Sequence, residues 1–252
     1  MKTSIVIPTY KRPGLAENLK KEILRFNPEV QIIIIDQTNQ SPNTSAAKNQ
    51  GIAQATGEVI IFLDDDVEIT KNTVQAHILE YTNPDVMGVA GRVINDGEII
   101  PEVSSVKVGN INSLFTVFEK NFWSTKKQTV EFPYGCNMSF RKSALDITGG
   151  FDEKLPPPLS SFEEIDLAIR IRKLGLISFV PDALVYHHRA TSGGTRMDTV
   201  IRTKLYYQSY GMIIRKHIPF PLSLVSLGIV KFRVIRECPH ALINLIKGYI
   251  YV

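Results

Sequence analysis

The sequence predicts an α/β fold: a mostly parallel sheet flanked by helices, followed by a mainly helical C-terminal extension. Three observations carry this expectation. Four apolar runs, SIVI at 4–7, QIIIID at 31–36, EVIIFL at 58–63 and MGVAGRV at 87–93, are continuous rather than alternating, as in strands covered on both faces. Helix-compatible stretches separate them, which is a βαβ succession with right-handed crossovers. Hydrophobic residues make up 44% and charged residues 21% of 252 residues, an ordinary globular balance, so a core forms without disulfide staples.

Pro8 ends the first strand, and Pro13 sits near the start of a helix over 13–25. A polar turn at 37–45 closes the second strand and leads into a helix over 46–55, with Gly57 as its stop. The third strand runs directly into Asp64-Asp65-Asp66, and a helix around 71–81 precedes the fourth. Residues 94–133 are less regular, with a strand expected near 98–107 and an aromatic segment over 115–123. YGCNMSFRK at 134–142 reads as a short strand entering a helix, and GGFDEKLPPPL at 149–159 as a loop. A helix over 161–174 is expected to pack through Phe162, Ile165, Ile169 and Arg172, and a last strand spans 176–186.

Charge divides the chain more informatively than its net +4. From Arg196 onward lie 9 of the 29 basic and only 2 of the 25 acidic residues. A mildly acidic body with a basic, apolar tail points to an anionic surface rather than to nucleic acid. Cys136 and Cys238 make neither a disulfide framework nor a zinc cluster and are expected to be reduced. The N-terminal run is too short for a signal peptide, and the uncharged stretch 218–230 is too short to span a bilayer.

The residues that carry chemistry are acidic. Asp64 and Asp66 end a strand, where parallel sheets present ligands, and alternate residues of an extended segment share a face. Adjacent carboxylates repel unless a cation compensates, and their oxygens suit Mg²⁺ or Mn²⁺ beside a diphosphate. The bland alternative is a solvated helix cap. Asp36 ends the second strand, where it can accept from a base or a ribose, or simply form a turn. GxGxxG and GxxxxGK[ST] are both absent, which argues against dinucleotide cofactors and P-loop chemistry. Glu163, Glu164 and Asp166 head a helix, either to suit its dipole or to supply a general base, and Asp166 is spaced to pair with Arg170. His187 or His188 is a candidate metal ligand; Tyr134, Asn137 and Arg141 are candidate pocket residues, with Gly135 and Gly149-Gly150 allowing close approach.

The chain resembles the family 2 glycosyltransferases of the GT-A fold. The resemblance rests on SIVIPTYKRP, IIIIDQTNQ, AKNQGIAQATGEVIIFLDDD, YGCNMSFRK, GGFDEKL, EEIDLAIRIRKLG and PDALVYHH, in the family's order over about residues 1–190. It implies a Rossmann-like, mixed but mostly parallel sheet over 1–195, with a nucleotide-binding half (1–95) and an acceptor-binding half (96–195), and a basic helical segment over 196–252. Pro8, Thr9, Tyr10, Arg12, Asp36, Lys48, Asn49, Asp64 and Asp65 would hold the nucleotide-diphosphate sugar, with UDP expected ahead of dTDP or GDP. Asp66, with Asp64 and His187, would hold Mg²⁺ or Mn²⁺ through the DxD motif. Glu164 would be the base of an inverting transfer, although the family's Glu-Asp pair is Glu163-Glu164 here. Tyr134, Asn137, Glu163 and Asp166 would face a glycan or lipid-linked oligosaccharide acceptor. A cytoplasmic location follows, with peripheral contact on the inner membrane face through 205–252, or a homodimer, as further expectations. The rival readings are a non-catalytic sugar-binding protein of the same fold and, further off, a nucleotidyltransferase.

Overall fold

The computed structural model describes residues 1–103, 105–190 and 192–251. The four apolar runs form β1 (Thr3–Thr9), β2 (Gln31–Asp36), β3 (Val59–Leu63) and, after a short β4 (Val67–Ile69), β5 (Val86–Asn95). Helices α1 (Pro13–Phe26), α2 (Thr44–Gln54) and α3 (Thr73–Glu80) connect them. Every side chain of β3 is 0% exposed, as burial on both faces requires. Pro13 opens α1, whose apolar stripe Ala16, Leu19 and Ile23 is buried, and the Asn43 side chain caps α2 by accepting from Ala46 N–H.

The irregular middle contains the paired β6 (Asn110–Ile111) and β7 (Phe118–Glu119), then β8 (Gln128–Thr129). No strand forms near 98–107 among the described residues; Ser104 lies outside them. The stretch is largely exposed there, so a ladder would gain little burial. Next come β9 (Asn137–Arg141), α4 (Lys142–Thr148), α5 (Glu163–Ile171) and β10 (Leu176–His187). The sheet order is β2-β1-β3-β9-β5-β10-β4, with β8 also on β10. β1, β2 and β3 are mutually parallel, β9 runs antiparallel between β3 and β5, and β5 and β10 are parallel. The connections leave β1 in opposite directions, so a crevice opens at the carboxyl ends of β1 and β3.

The expected packing face of α5 is corrected. Arg172 is exposed and pairs with Glu131 at 3.0 Å, while Ile165, Leu167, Ala168, Ile171 and Asp166 are buried. Asp166 turns inward because partners meet it there: the cations Arg170 at 2.6 Å and Lys216 at 2.7 Å, and the His217 ring nitrogen at 2.7 Å. Together these hold its carboxyl well below the usual range despite burial.

Lys216 and His217 belong to α6 (Thr199–His217), followed by α7 (Leu222–Glu237) and α8 (Leu242–Ile250). These helices pack on the body of the molecule. Lys216 also pairs with Asp152 at 2.8 Å, the Tyr210 hydroxyl donates to the Phe115 carbonyl, and Phe162 lies against Tyr206 and Tyr210. α6 and α8 cross closely at Gly211 and Gly248, where any Cβ would overlap backbone of the facing helix.

A buried polar network stitches the middle of the sheet. Asn137 Nδ2 donates to the carbonyls of Ala183 (2.8 Å) and Arg92 (3.0 Å), so its Oδ1 accepts from His77 Nε2 at 2.9 Å. His77 Nδ1 then accepts from Ser139 Oγ at 2.9 Å, and Ser139 accepts from Tyr81 OH at 2.8 Å. Burial pushes the His77 imidazole down from 6.5 to about 4. With the folded value below the unfolded one, its stabilising effect is complete above pH 6.5 and lost as pH falls through about 4. The loss should approach about 3 kcal/mol. Urea unfolding at stepwise lower pH measures it, and His77→Gln should remove this component.

Candidate active site

Pro8, Thr9, Tyr10, Arg12, Asp64 and Asp65 line the crevice at the ends of β1 and β3. Asp65 is not free for a ligand. Thr9 Oγ1 donates to its Oδ2 at 2.5 Å, and Arg12 Nη2 stands 2.5 Å from its Oδ1 as a charge contact without hydrogen-bond alignment. Burial lifts the Asp65 carboxyl to about 6, outweighing Thr9 and Arg12. Arg12 Nη1 also donates to Asp66 Oδ2 at 3.0 Å, so one guanidinium ties the start of α1 to two of the three acids.

Asp64, Asp66 and His187 converge, with one ligand atom from each lying within 4.8 Å of the others. β10 pairs with β5 so that His187 stands beside Asn95. The Asn95 amide donates to Glu98 at 2.8 Å, which leaves its Oδ1 to accept from His187 Nδ1 at 3.0 Å. The Nδ1 proton leaves Nε2 facing Asp66 Oδ1 at 3.3 Å. A neutral ring would set a lone pair against a carboxylate oxygen there. That contact is favourable if the ring is protonated or if a cation receives both atoms, the arrangement of a metal-binding histidine fixed by its outer partner. Asp66 Oδ2 is occupied by Ala190 N–H at 2.9 Å and by Arg12, so Oδ1 is the oxygen left for a ligand. Burial alone would raise Asp66, but His187, Arg12 and Ala190 hold it well below the usual carboxylate range. Burial raises Asp64 against the pull of Lys48, and Asp66 adds to the rise. Two carboxylates and an imidazole fit Mn²⁺ or Mg²⁺ as a donor set.

Asp64 and His187 also face a second cavity of about 310 Å³, lined by Tyr134, Glu163, Glu164 and, from α6, Arg202 and Tyr206. Lys48 is buried and donates to Glu163 Oε1 at 2.7 Å. Burial would depress its ammonium, but Glu163, Asp64 and Glu164 together outweigh this and lift it. Glu164 is half-buried, and burial together with the charge of Glu163 pushes its carboxyl well above the usual range. The pair thus divides: Glu163 has a lysine partner, and Glu164 opens to the cavity.

Other expected positions lie elsewhere. Asn137 sits in the core network, and Asp166 is 0% exposed beneath α6, so neither reaches the cavity. Asn49 turns onto the following loop, exchanging hydrogen bonds with Phe151, and Gly150 has no room there for a Cβ. Asp36 is exposed, and its Oδ1 accepts from Thr38 N and Oγ1 at 2.8 and 2.5 Å. It shapes a turn next to Thr9, its partner in the β1–β2 ladder. Arg141 is bound to the backbone of Tyr81, Asn83 and Val86, away from the site. His188 meets Glu68 and Asp96 at the surface, each at 3.2 Å, and His187 alone of the two joins the acids. Asn95, Arg202 and Tyr206 belong to the site without having been expected; the strand-end position of Asn95 was its only local signal.

Residues 32–148 match the family model described as glycosyl transferase family 2. A pre-mycofactocin glycosyltransferase of Mycobacterium tuberculosis is 26% identical over 189 residues, covering 75% of this chain and 38% of that protein. This chain therefore spans well under half the length of that curated relative. S. aureus TarS 1–349 in complex with UDP-GlcNAc superposes with a TM-score of 0.57 at 14% identity, covering 94% of this chain and 72% of that one. The mannosyltransferase PcManGT from Pyrobaculum calidifontis, in complex with GDP-Man and Mn²⁺, gives 0.56 at 13% identity, covering 98% and 85%. The structural likenesses bear on the architecture, and the family match bears on descent. With the mixed sheet, its switch-point crevice and the acid–histidine cluster, they show the GT-A fold, and residues 32–148 are similar to glycosyl transferase family 2.

Proposed function

We propose that the protein transfers a glycosyl group from a nucleotide-diphosphate donor to a hydroxyl of a glycan or glycolipid, with inversion at the anomeric carbon. The observation that carries this is the place of Glu164: its raised carboxyl opens to the cavity that Asp64 and His187 also face. The nucleotide lies along Pro8–Arg12, and Asp64, Asp66 and His187 would hold Mn²⁺ or Mg²⁺. The imidazole donor favours Mn²⁺. When bound, the ion supplies positive charge to the departing diphosphate. Glu164 takes the proton of the acceptor hydroxyl as its oxygen bonds to the anomeric carbon. The bond from that carbon to the diphosphate breaks, and its electron pair leaves with the diphosphate. Lys48 holds Glu163 in place, and burial together with the neighbouring Glu163 keeps Glu164 basic.

Stereochemistry tests the reading directly. With an α-linked nucleotide sugar as donor, proton NMR of the first-formed product should show only the β linkage. A retained α linkage removes the single displacement, and sugar binding without turnover across donors and acceptors leaves a binding protein.

A further inference from the structure

The helix α7 is mounted inside out. Its inward stripe is Ser223, Ser226, Val230 and Val234, all 0% exposed. Its outward stripe is Leu222, Val225, Ile229 and Phe232, spaced by three and four residues, with Phe232 72% exposed. Leu224 and Ile235 lie exposed on the adjoining stripe. This rotation is held by specific bonds. Ser226 Oγ donates to Leu114 O at 2.5 Å, Ser223 Oγ meets Tyr249 OH at 2.8 Å, and Arg233 Nη2 donates to Thr116 O at 3.0 Å. Turning the helix over would hide the apolar stripe but orphan these buried groups. A row of large apolar side chains turned outward by buried hydrogen bonds marks a contact surface.

The charges on this face select its occupant. Lys231 and Arg236 are exposed, Arg236 one turn beyond Phe232 at the end of the apolar stripe, while Glu237, the one acid of α7, is paired with Arg236 at 2.9 Å. No described helix is long and apolar enough to cross a membrane, so a lipid contact here is one in the interface plane. We propose that the outward face of α7 docks on an anionic lipid surface, with Leu222, Val225, Ile229 and Phe232 at the acyl boundary and Lys231 and Arg236 among the headgroups. Leu114 and Thr116, which hold α7, belong to the turn between β6 and β7, and Phe118 of β7 lines the acceptor cavity. Docking would therefore bring that cavity close to the lipid surface and favour a lipid-linked acceptor, a consequence that rests on the proposed transfer whereas the docking does not.

Vesicle flotation of the full chain tests this. The protein should float with mixed phosphatidylcholine–phosphatidylglycerol vesicles and much less with phosphatidylcholine alone, with binding falling as salt rises. Ile229→Glu and Phe232→Glu should each weaken binding about tenfold or more through lost apolar insertion. Lys231→Gln and Arg236→Gln should each weaken it about fivefold while sparing the apolar face. These positions are exposed, and unchanged circular dichroism and Tm confirm that the fold survives. Absent vesicle binding, or binding that none of the four variants weakens, overturns the proposal. A lipid-free dimer in ultracentrifugation that Phe232→Glu dissolves overturns it in favour of a second copy.

Discussion

Replacing Glu164 by Gln should lower kcat by roughly 10²–10⁴-fold, the usual contribution of a positioned base. That corresponds to about 3–5 kcal/mol of transition-state stabilisation. Donor affinity should hardly change, because the crevice proposed for the nucleotide is lined by other residues. The pH profile adds a second readout. A base must be deprotonated, and the Glu164 carboxyl lies well above the usual range, so transfer should fall on the acid side with a midpoint higher than that of an ordinary carboxylate. Glu164→Gln should abolish that limb along with most of the rate. Glu163→Gln is the contrasting case. It strands the buried Lys48 ammonium, which should cost about 3–5 kcal/mol of stability and show as a large drop in Tm. Near-normal transfer by Glu164→Gln, measured with intact donor binding, would sink the assignment.

The second large effect is expected at Asp66. Asp66→Asn keeps the shape but removes the charge that faces His187, Arg12 and Ala190 N–H. Mn²⁺ together with a nucleoside diphosphate should stabilise the wild-type chain, by about 2.7 kcal/mol at a hundredfold excess over Kd. The variant should lose the Mn²⁺-dependent part of that gain. Transfer should fall by roughly 10²–10³-fold, as when a preorganised electrostatic partner is removed. His187→Ala should act in the same direction, since the imidazole supplies the nitrogen of the set. Differential scanning fluorimetry with and without Mn²⁺ separates the ion's contribution from that of the nucleotide. Equal Mn²⁺-dependent shifts in wild type and Asp66→Asn would contradict the site.

The strands of residues 1–95 were legible because strands buried on both faces must be apolar throughout, and β3 is buried end to end. Asp64 and Asp66 were legible from the same run, since its end fixes where the acids stand. His187 needed the resemblance, and its partner Asn95 needed the register of β5 against β10, which no local pattern encodes. Asn137 and Asp166 show the opposite difficulty. A polar residue in a motif-rich stretch reads as a ligand, but Asn137 is satisfied by two carbonyls and a histidine from three other elements. Asp166 is satisfied partly by Lys216 and His217, about fifty positions along the chain. Side-chain satisfaction is a tertiary property, and only the assembled fold distinguishes it from availability. The orientation of α7 was hidden for the same reason: the sequence marked the tail only as basic and apolar, and the partners of its serines decide which stripe faces inward.

The clamp on Asp166 bears on how such a chain can be recombined. Glu164 stands two residues before it on α5, and that helix is gripped from α6, which α8 in turn crosses at glycine contacts. A cut at the charge boundary near residue 196 would therefore remove the support beneath Glu164 along with a wall of its cavity. Chimeras that exchange the C-terminal helices between homologues should work only when the partners of Asp166 travel with them, so the unit of exchange is the α5–α6 pair rather than the tail.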